Sequence, residues 1–166
     1  MVELKKGSPG KQEEGIIEGF SEASRRILVN AWELAFSFNS NIGVGHILTG
    51  VRMQMNHIQI ISVLSQNRIS LFRLIDDLPY VEFDSEMIQA GQEIRLTSRA
   101  KDAMLFVAEA AKYRKASQVE PSDLLVGILK YAEVTRRKVH TEIERRERQV
   151  EPFLIRKQQS PYILHF

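Results

Sequence analysis

Two stretches of the chain repeat one order of apolar and polar positions. Residues 20–35 read FSEASRRILVNAWELA and residues 96–111 read LTSRAKDAMLFVAEAA, aligned without a gap at a separation of 76 positions. In each, an apolar residue (Phe20, Leu96) precedes a hydroxyl residue (Ser21, Thr97), and a cation follows (Arg25, Lys101). The hydroxyl suits a helix N-cap, because its oxygen can accept an otherwise unpaired backbone N–H. The apolar residue before it suits half of a hydrophobic staple. An apolar stripe then runs through Ile27, Leu28, Ala31, Ala35 and Phe38 in the first copy, and through Ala103, Met104, Val107 and Ala111 in the second. Steps of three, four and seven residues put each set on one helical face. Ile27, Leu28, Met104, Val107 and Phe38 are therefore expected in the core.

After each long helix the pattern predicts a polar turn and a short apolar helix. These helices read HILTGV (46–51) and DLLVGI (123–128), separated by 77 positions, so the first turn is one residue shorter. Asn39, Ser40, Asn41, Gly43 and Gly45 make the first turn. Pro121 suits the opening turn of its helix, where a missing N–H costs little. Ile58, Ile60, Ile61, Val63 and Leu64 predict a broadly apolar helix, and Leu71, Phe72, Leu74 and Ile75 another, capped by Ser70. From Val134 to Val150 the pattern is charged, with Val139, Ile143 and Val150 at helical spacing, which predicts one long exposed helix. The organisation expected is a flexible segment over 1–19, repeat one over 20–78, a linker over 79–95, repeat two over 96–150, and an apolar tail over 151–166. The fold class is all-α.

These paired units resemble the Clp N-terminal repeat across about residues 20–130. The family pattern is an F-T start, a basic first turn, a V-L…A…E-A helix, and G-T-E-H-[IL]-L-x-G-[LI] opening the next helix. Here the first copy carries Phe20-Ser21, Arg25-Arg26-Ile27-Leu28, Ala31, Glu33-Leu34-Ala35 and Gly43-Val44-Gly45-His46-Ile47-Leu48-Thr49-Gly50-Val51. The second carries Leu96-Thr97, Arg99-Ala100-Lys101, Glu109-Ala110-Ala111 and Pro121-Ser122-Asp123-Leu124-Leu125-Val126-Gly127-Ile128. The resemblance implies a pseudo-twofold bundle of two tandem four-helix repeats, the second degenerate at its C-terminal end. It implies a non-catalytic receptor or accessory of a Clp protease system, as in plastid Clp subunits built from this repeat alone. In some bacterial relatives each copy holds phosphoarginine between the hydroxyl at the first helix start and the Glu of G-T-E-H. Ser21 and Thr97 keep the hydroxyl, and a helix N-terminus can hold an anion. Gly45 and Ser122 stand at the Glu positions, and neither offers the planar anionic acceptor that a guanidinium needs. The expectation is weak anion binding without selectivity for phosphoarginine.

Composition narrows the function classes further. The 166 residues are 43% hydrophobic and 27% charged, with formal net charge +2 and no cysteine. That removes disulfides, thiolate metal sites and cysteine nucleophiles. The opening MVELKKGSPGKQEEG lacks the apolar run of a secretory signal, no stretch approaches a membrane span, and a cytoplasmic location, or a plastid stroma after processing, is expected. No Walker A sequence occurs, so the ATPase part of a Clp unfoldase is missing from this chain. An enzyme is not expected, nor a cofactor.

Other candidates have plainer readings. His46, His57, His140 and His165 lack metal-ligand spacing, and His46 reads as a structural hydrogen-bonding group. Asp76, Asp77, Glu82 and Asp84 read as solvated charge. Trp32 lies at the margin of the apolar stripe, where it could anchor a partner. Arg136, Arg137, Lys138, Arg145, Arg146 and Arg148 are interleaved with Glu142, Glu144 and Glu147, which favours i,i+4 pairs over nucleic acid. Phe153, Leu154 and Ile155, with Tyr162, Ile163, Leu164 and Phe166, either fold back on the body or form a docking tail. The partners expected are proteins: Clp unfoldase or protease subunits, adaptors or substrates, with a homodimer also open. The rival classes are a homo-oligomeric structural protein and a basic DNA-binding helical protein.

Overall fold

The computed structural model describes residues 19–70, 86–89 and 92–158, with side chains given up to residue 146. The protein is all-helical: among the described residues there are five helices, three isolated bridges and no strand. The helices are α1 (Glu22–Ser37), α2 (Val44–Gln54), α3 (His57–Gln66), α4 (Ser98–Tyr113) and α5 (Pro121–Gln158). The described chain divides into a unit ending at Glu133 and a second beginning at Val134.

Local chemistry sets the helix starts. Ser21 and Thr97 are the N-caps of α1 and α4, both at φ −61 and ψ 161. Ser21 Oγ accepts from Ser24 N, and Thr97 Oγ1 accepts from Ala100 N at 3.0 Å. At α3, Asn56 Oδ1 accepts from Gln59 N while Gln59 Oε1 accepts from Asn56 N, a reciprocal capping box. Replacing either hydroxyl cap by alanine should cost about 1 kcal/mol. Thr97→Ala should be the larger loss, because its bond is shorter and its side chain fully enclosed; urea unfolding of the two variants checks both points.

α1 and α4 also end alike. Phe38 N donates to Leu34 O and Arg114 N to Ala110 O. Asn39 N donates to Phe36 O and Lys115 N to Lys112 O. Ser40 N donates to Ala35 O and Ala116 N to Ala111 O. Asn39 and Lys115 both take positive φ, 50 and 54, so a left-handed residue stops each helix at the same register. Every one of these pairs is separated by the same 76 positions as the caps.

Beyond the turns the two copies interlock. Phe20 bridges Val119 in parallel, and Ile42 bridges Leu96 in parallel. Ser21 N donates to Val119 O and Val119 N to Gly19 O; Thr97 N donates to Ile42 O and Ile42 N to Arg95 O. Each copy thus ties the start of its first helix, α1 or α4, to the loop before α5 or α2 of the other copy. Asn41 adds a clamp, its side chain accepting from Arg95 N and donating to Glu86.

The buried face is narrower than the apolar pattern predicts. α1 buries Ser24, Ile27, Ala31 and Ala35, and α4 buries Ala100, Ala103, Val107, Ala110 and Ala111. Leu28 and Met104 are only half-buried against the core, and Phe38 is 64% exposed. The expectation that these three are core residues is corrected accordingly. Small residues line the true contact because the helices approach closely. A Cβ on Gly50 would lie 2.5 Å from Ile27 O, and one on Gly127 would lie 2.5 Å from Val107 Cα. Leu28 sits about 100° around the helix from Ile27 and falls at the edge of that contact.

One core runs through both copies within the first unit, from Phe20, Ile27 and Ile47 to Val107, Leu124 and Ile128. α3 contributes only Val63 and Leu64 fully, with Ile60 partly buried. Ile58 and Ile61 stay exposed, so α3 is amphipathic rather than broadly apolar. The expected helix over Leu71–Ile75 falls outside the described residues, as does most of the expected linker.

In the second unit, Val134 onward, the helix is solvated. Arg146 pairs with Glu142 at 3.0 Å, Arg145 with Glu142 at 3.6 Å, and His140 with Glu144 at 3.2 Å. Val139 and Ile143 are 39% and 48% exposed. The short apolar helix and the charged helix read separately from the pattern belong to one element, α5, which continues to Gln158 and includes Phe153, Leu154 and Ile155. Tyr162, Ile163, Leu164 and Phe166 lie outside the described residues.

Candidate functional site

Two corners hold the residues singled out by the pattern, and each draws on both copies. Ser21 N bonds to Val119 O at 3.0 Å, which sets the α1 start beside the segment leading to Ser122. Thr97 N bonds to Ile42 O at 3.0 Å, which sets the α4 start beside the segment leading to Gly45. Within one copy the partners are far apart, since the 16 residues of α1 span about 24 Å at 1.5 Å per residue. The structure therefore groups Ser21 with Ser122 and Thr97 with Gly45, rather than Ser21 with Gly45 and Thr97 with Ser122.

The hydroxyls at these corners are engaged by their own helices. Ser21 is 9% exposed and Thr97 is 1% exposed. Besides accepting from Ser24 N, Ser21 Oγ donates to Ser24 Oγ at 3.2 Å. Any anion arriving here would compete with capping bonds already made. Ser122 and Gly45 are partly exposed.

A carboxylate does occur one residue beyond Ser122, and it is occupied. Asp123 is 4% exposed, and it is the one buried carboxylate among the described residues. Its Oδ1 accepts from Arg114 Nε at 3.0 Å and its Oδ2 from Arg114 Nη2 at 2.7 Å. Oδ2 also accepts from Glu120 N at 2.8 Å. Two parallel N–H···O bonds to a shielded carboxylate form a strong, oriented pair. Hydrogen bonding to Asp123 outweighs desolvation by burial and, with the charges of Asp123 and Glu120 added, raises the Arg114 pKa above its ordinary value. A base with a raised folded pKa contributes stability at every pH below its unfolded value, and since arginine is protonated throughout the ordinary pH range the Arg114 contribution does not vary across it. The guanidinium acceptor of this corner is thus taken by the chain's own arginine.

The first copy fills the matching positions with other chemistry. His46 Nδ1 accepts from Gly43 N at 3.0 Å, the counterpart of Asp123 accepting from Glu120 N. Phe38, the counterpart of Arg114, places its ring 6.4 Å from the His46 imidazole, tilted by 40°. A ring pair in one copy and an ion pair in the other hold the same helix end against the same helix start. The pattern did not reveal the Arg114–Asp123 pair. Its signal was the acid three positions after Glu120 at a helix start, the form of a reciprocal cap.

The remaining candidates separate. Trp32 is half-buried and stacks on Phe36 with centroids 5.4 Å apart and planes 16° apart. His57 opens α3 and is exposed, and His140 faces Glu144. Asp76, Asp77, Glu82, Asp84 and His165 lie outside the described residues. No group of three His, Asp or Glu side chains that could hold a metal occurs among the described residues. No described helix is long and apolar enough to cross a membrane.

Taken together, the two corners offer helix starts, caps and partly exposed small residues. Such an arrangement can present surface to a protein or weakly hold an anion. Compared with known proteins, the chain matches no family model and no curated protein.

Proposed function

We propose that the chain is a Clp-N-like double-repeat module, two tandem four-helix units about a pseudo-twofold axis with the second degenerate at its C-terminal end. It acts without catalysis or cofactor, as an accessory or as a receptor for substrates or adaptors of a Clp protease system. The observation that carries this reading is the crossed pairing, in which Phe20 meets Val119 while Leu96 meets Ile42. Matched caps, left-handed helix stops and close-approach glycines at the same offsets support it. Hydroxyl caps and left-handed stops occur in many unrelated helices, so what favours a repeat is their recurrence at one offset together with the crossed bridges.

Two measurements test the proposal. The purified chain, immobilised, should retain Clp unfoldase or protease subunits from the source cell, in proportion to their concentration and reversibly in competition with free chain. Failure of purified Clp subunits to bind would overturn it. The second measurement is calorimetric titration with phosphoarginine and with inorganic phosphate. Both should bind weakly and without preference, since Gly45 and Ser122 supply no carboxylate and Asp123 is held by Arg114. Gly45→Glu and Ser122→Glu should introduce a preference for phosphoarginine, each at the corner it shares with the other copy's hydroxyl. Tight, selective phosphoarginine binding by the unaltered chain would contradict this account of the corners.

A further inference from the structure

One face of α1 carries a seam whose margin touches the fold, Trp32 packing partly against the core and Arg25 Nε donating to Phe20 O, while Val29 and Phe36 stand in solvent. Arg25, Val29, Trp32 and Phe36 recur in steps of four, three and four, the spacing of a helix–helix seam. Val29 is 55% exposed and Phe36 46% exposed, and Trp32 is half-buried with its ring stacked on Phe36. The second copy supplies an internal control. At the matching positions α4 has Lys101, Leu105, Ala108 and Lys112, and of these only Leu105 is a large apolar residue. Since α4 caps, packs and terminates as α1 does, the aromatic content of the α1 seam is not what folds the helix.

We propose that this seam pairs antiparallel, about a twofold axis, with the same seam of a second copy of this chain. The charges beside it select that occupant. Arg26 and Glu33, both exposed, flank the seam on one side, seven residues apart. When two such helices run antiparallel with Val29 level with Trp32 of the partner subunit, Arg26 meets Glu33 of the partner subunit. Glu33 then meets the partner's Arg26, so the symmetry makes the ion pair twice. Leu28, half-buried on the other flank, adds apolar surface. In the isolated chain Arg26 pairs with Glu22 one turn earlier; that exposed pair holds it weakly and leaves it able to change partner. Four seam positions a side make a small interface, of the kind found in weak, transient complexes. This inference stands on α1 alone and does not depend on the Clp reading.

Sedimentation velocity over a wide concentration series tests it, with Trp32 fluorescence as a second reporter. The chain should pass reversibly from monomer to dimer, with a blue shift of Trp32 emission as its ring leaves water. Phe36→Glu should abolish the dimer, and Leu105→Glu on α4 should leave it unchanged. The decisive arm is charge exchange, which does not rely on a variant of reduced stability. Arg26→Glu and Glu33→Arg should each weaken self-association at least about tenfold in apparent Kd, a change of 1.4 kcal/mol. Mixing these two variants should restore association, because each then meets its complement. A chain that stays monomeric throughout, a dimer disrupted by Leu105→Glu, or a mixture no better than its components would overturn the proposal.

Discussion

Gly127→Ala will destabilise the protein by about 1–3 kcal/mol, against the direction that helix propensity predicts. Alanine is favoured over glycine inside a helix by about 1 kcal/mol, so an open site would gain stability. At Gly127 the added Cβ would lie 2.5 Å from both Cα and N of Val107. Those atoms are backbone, so relief requires moving α5 away from α4, and overpacking of this kind costs about 1–3 kcal/mol. Gly50→Ala should behave in the same way, since its Cβ would meet Ile27 O at 2.5 Å. The two sites lie in different helix pairs of one core, and the double variant should fall further than either. Urea denaturation of the three variants measures this. A Gly127→Ala variant as stable as the parent would mean that α4 and α5 do not cross at that point.

Asp123→Ala should cost about 2–3 kcal/mol, the second large effect. Removing one partner of a fully buried ion pair costs about 3–5 kcal/mol. The lower figure applies because the Arg114 side chain is 45% exposed and can recover hydration, whereas that of Asp123 is 5% exposed. The same substitution leaves the Glu120 N–H without its side-chain acceptor at the start of α5. Asp123→Asn keeps an acceptor for that N–H and should fall between parent and alanine variant. Because the carboxylate is shielded, high salt should not reproduce the loss. Thermal unfolding in low and high salt, with all three proteins, distinguishes these outcomes. Equal stability of Asp123→Ala and parent would show that the pair contributes nothing.

Much of the first unit was legible from local pattern because its signals are local. The hydroxyl caps at Ser21 and Thr97 act on N–H groups three residues away, and the turns after α1 and α4 close within five. The offset of 76 positions through the helices and 77 beyond the turns is visible in the letters, and the backbone bonds follow it. The burial of Leu28, Met104 and Phe38 was not legible in the same way. Periodicity reports which face is apolar, but the width of the buried strip depends on how near the neighbouring helix comes. Here the glycines let the helices come close, so Ser24, Ile27, Ala31 and Ala35 are enclosed while Leu28 and Met104 stay at the margin.

The candidate site divides along the same line. The residue types at its corners, a hydroxyl at each helix start and no acid at positions 45 and 122, are properties of the sequence alone. So are the all-helical class, the internal repeat and the aromatic content of Trp32 and Phe36. Whether a hydroxyl stands beside the start of α2 or of α5 was decided by tertiary structure, through two backbone bridges between residues far apart in the chain. No periodicity encodes that exchange, because it depends on how two complete helix pairs pack against each other. The same holds for Arg114 and Asp123, whose ion pair forms only once α4 ends where α5 begins. Local bonding chemistry is written residue by residue, whereas the choice of distant partner is made by the shape of the whole core.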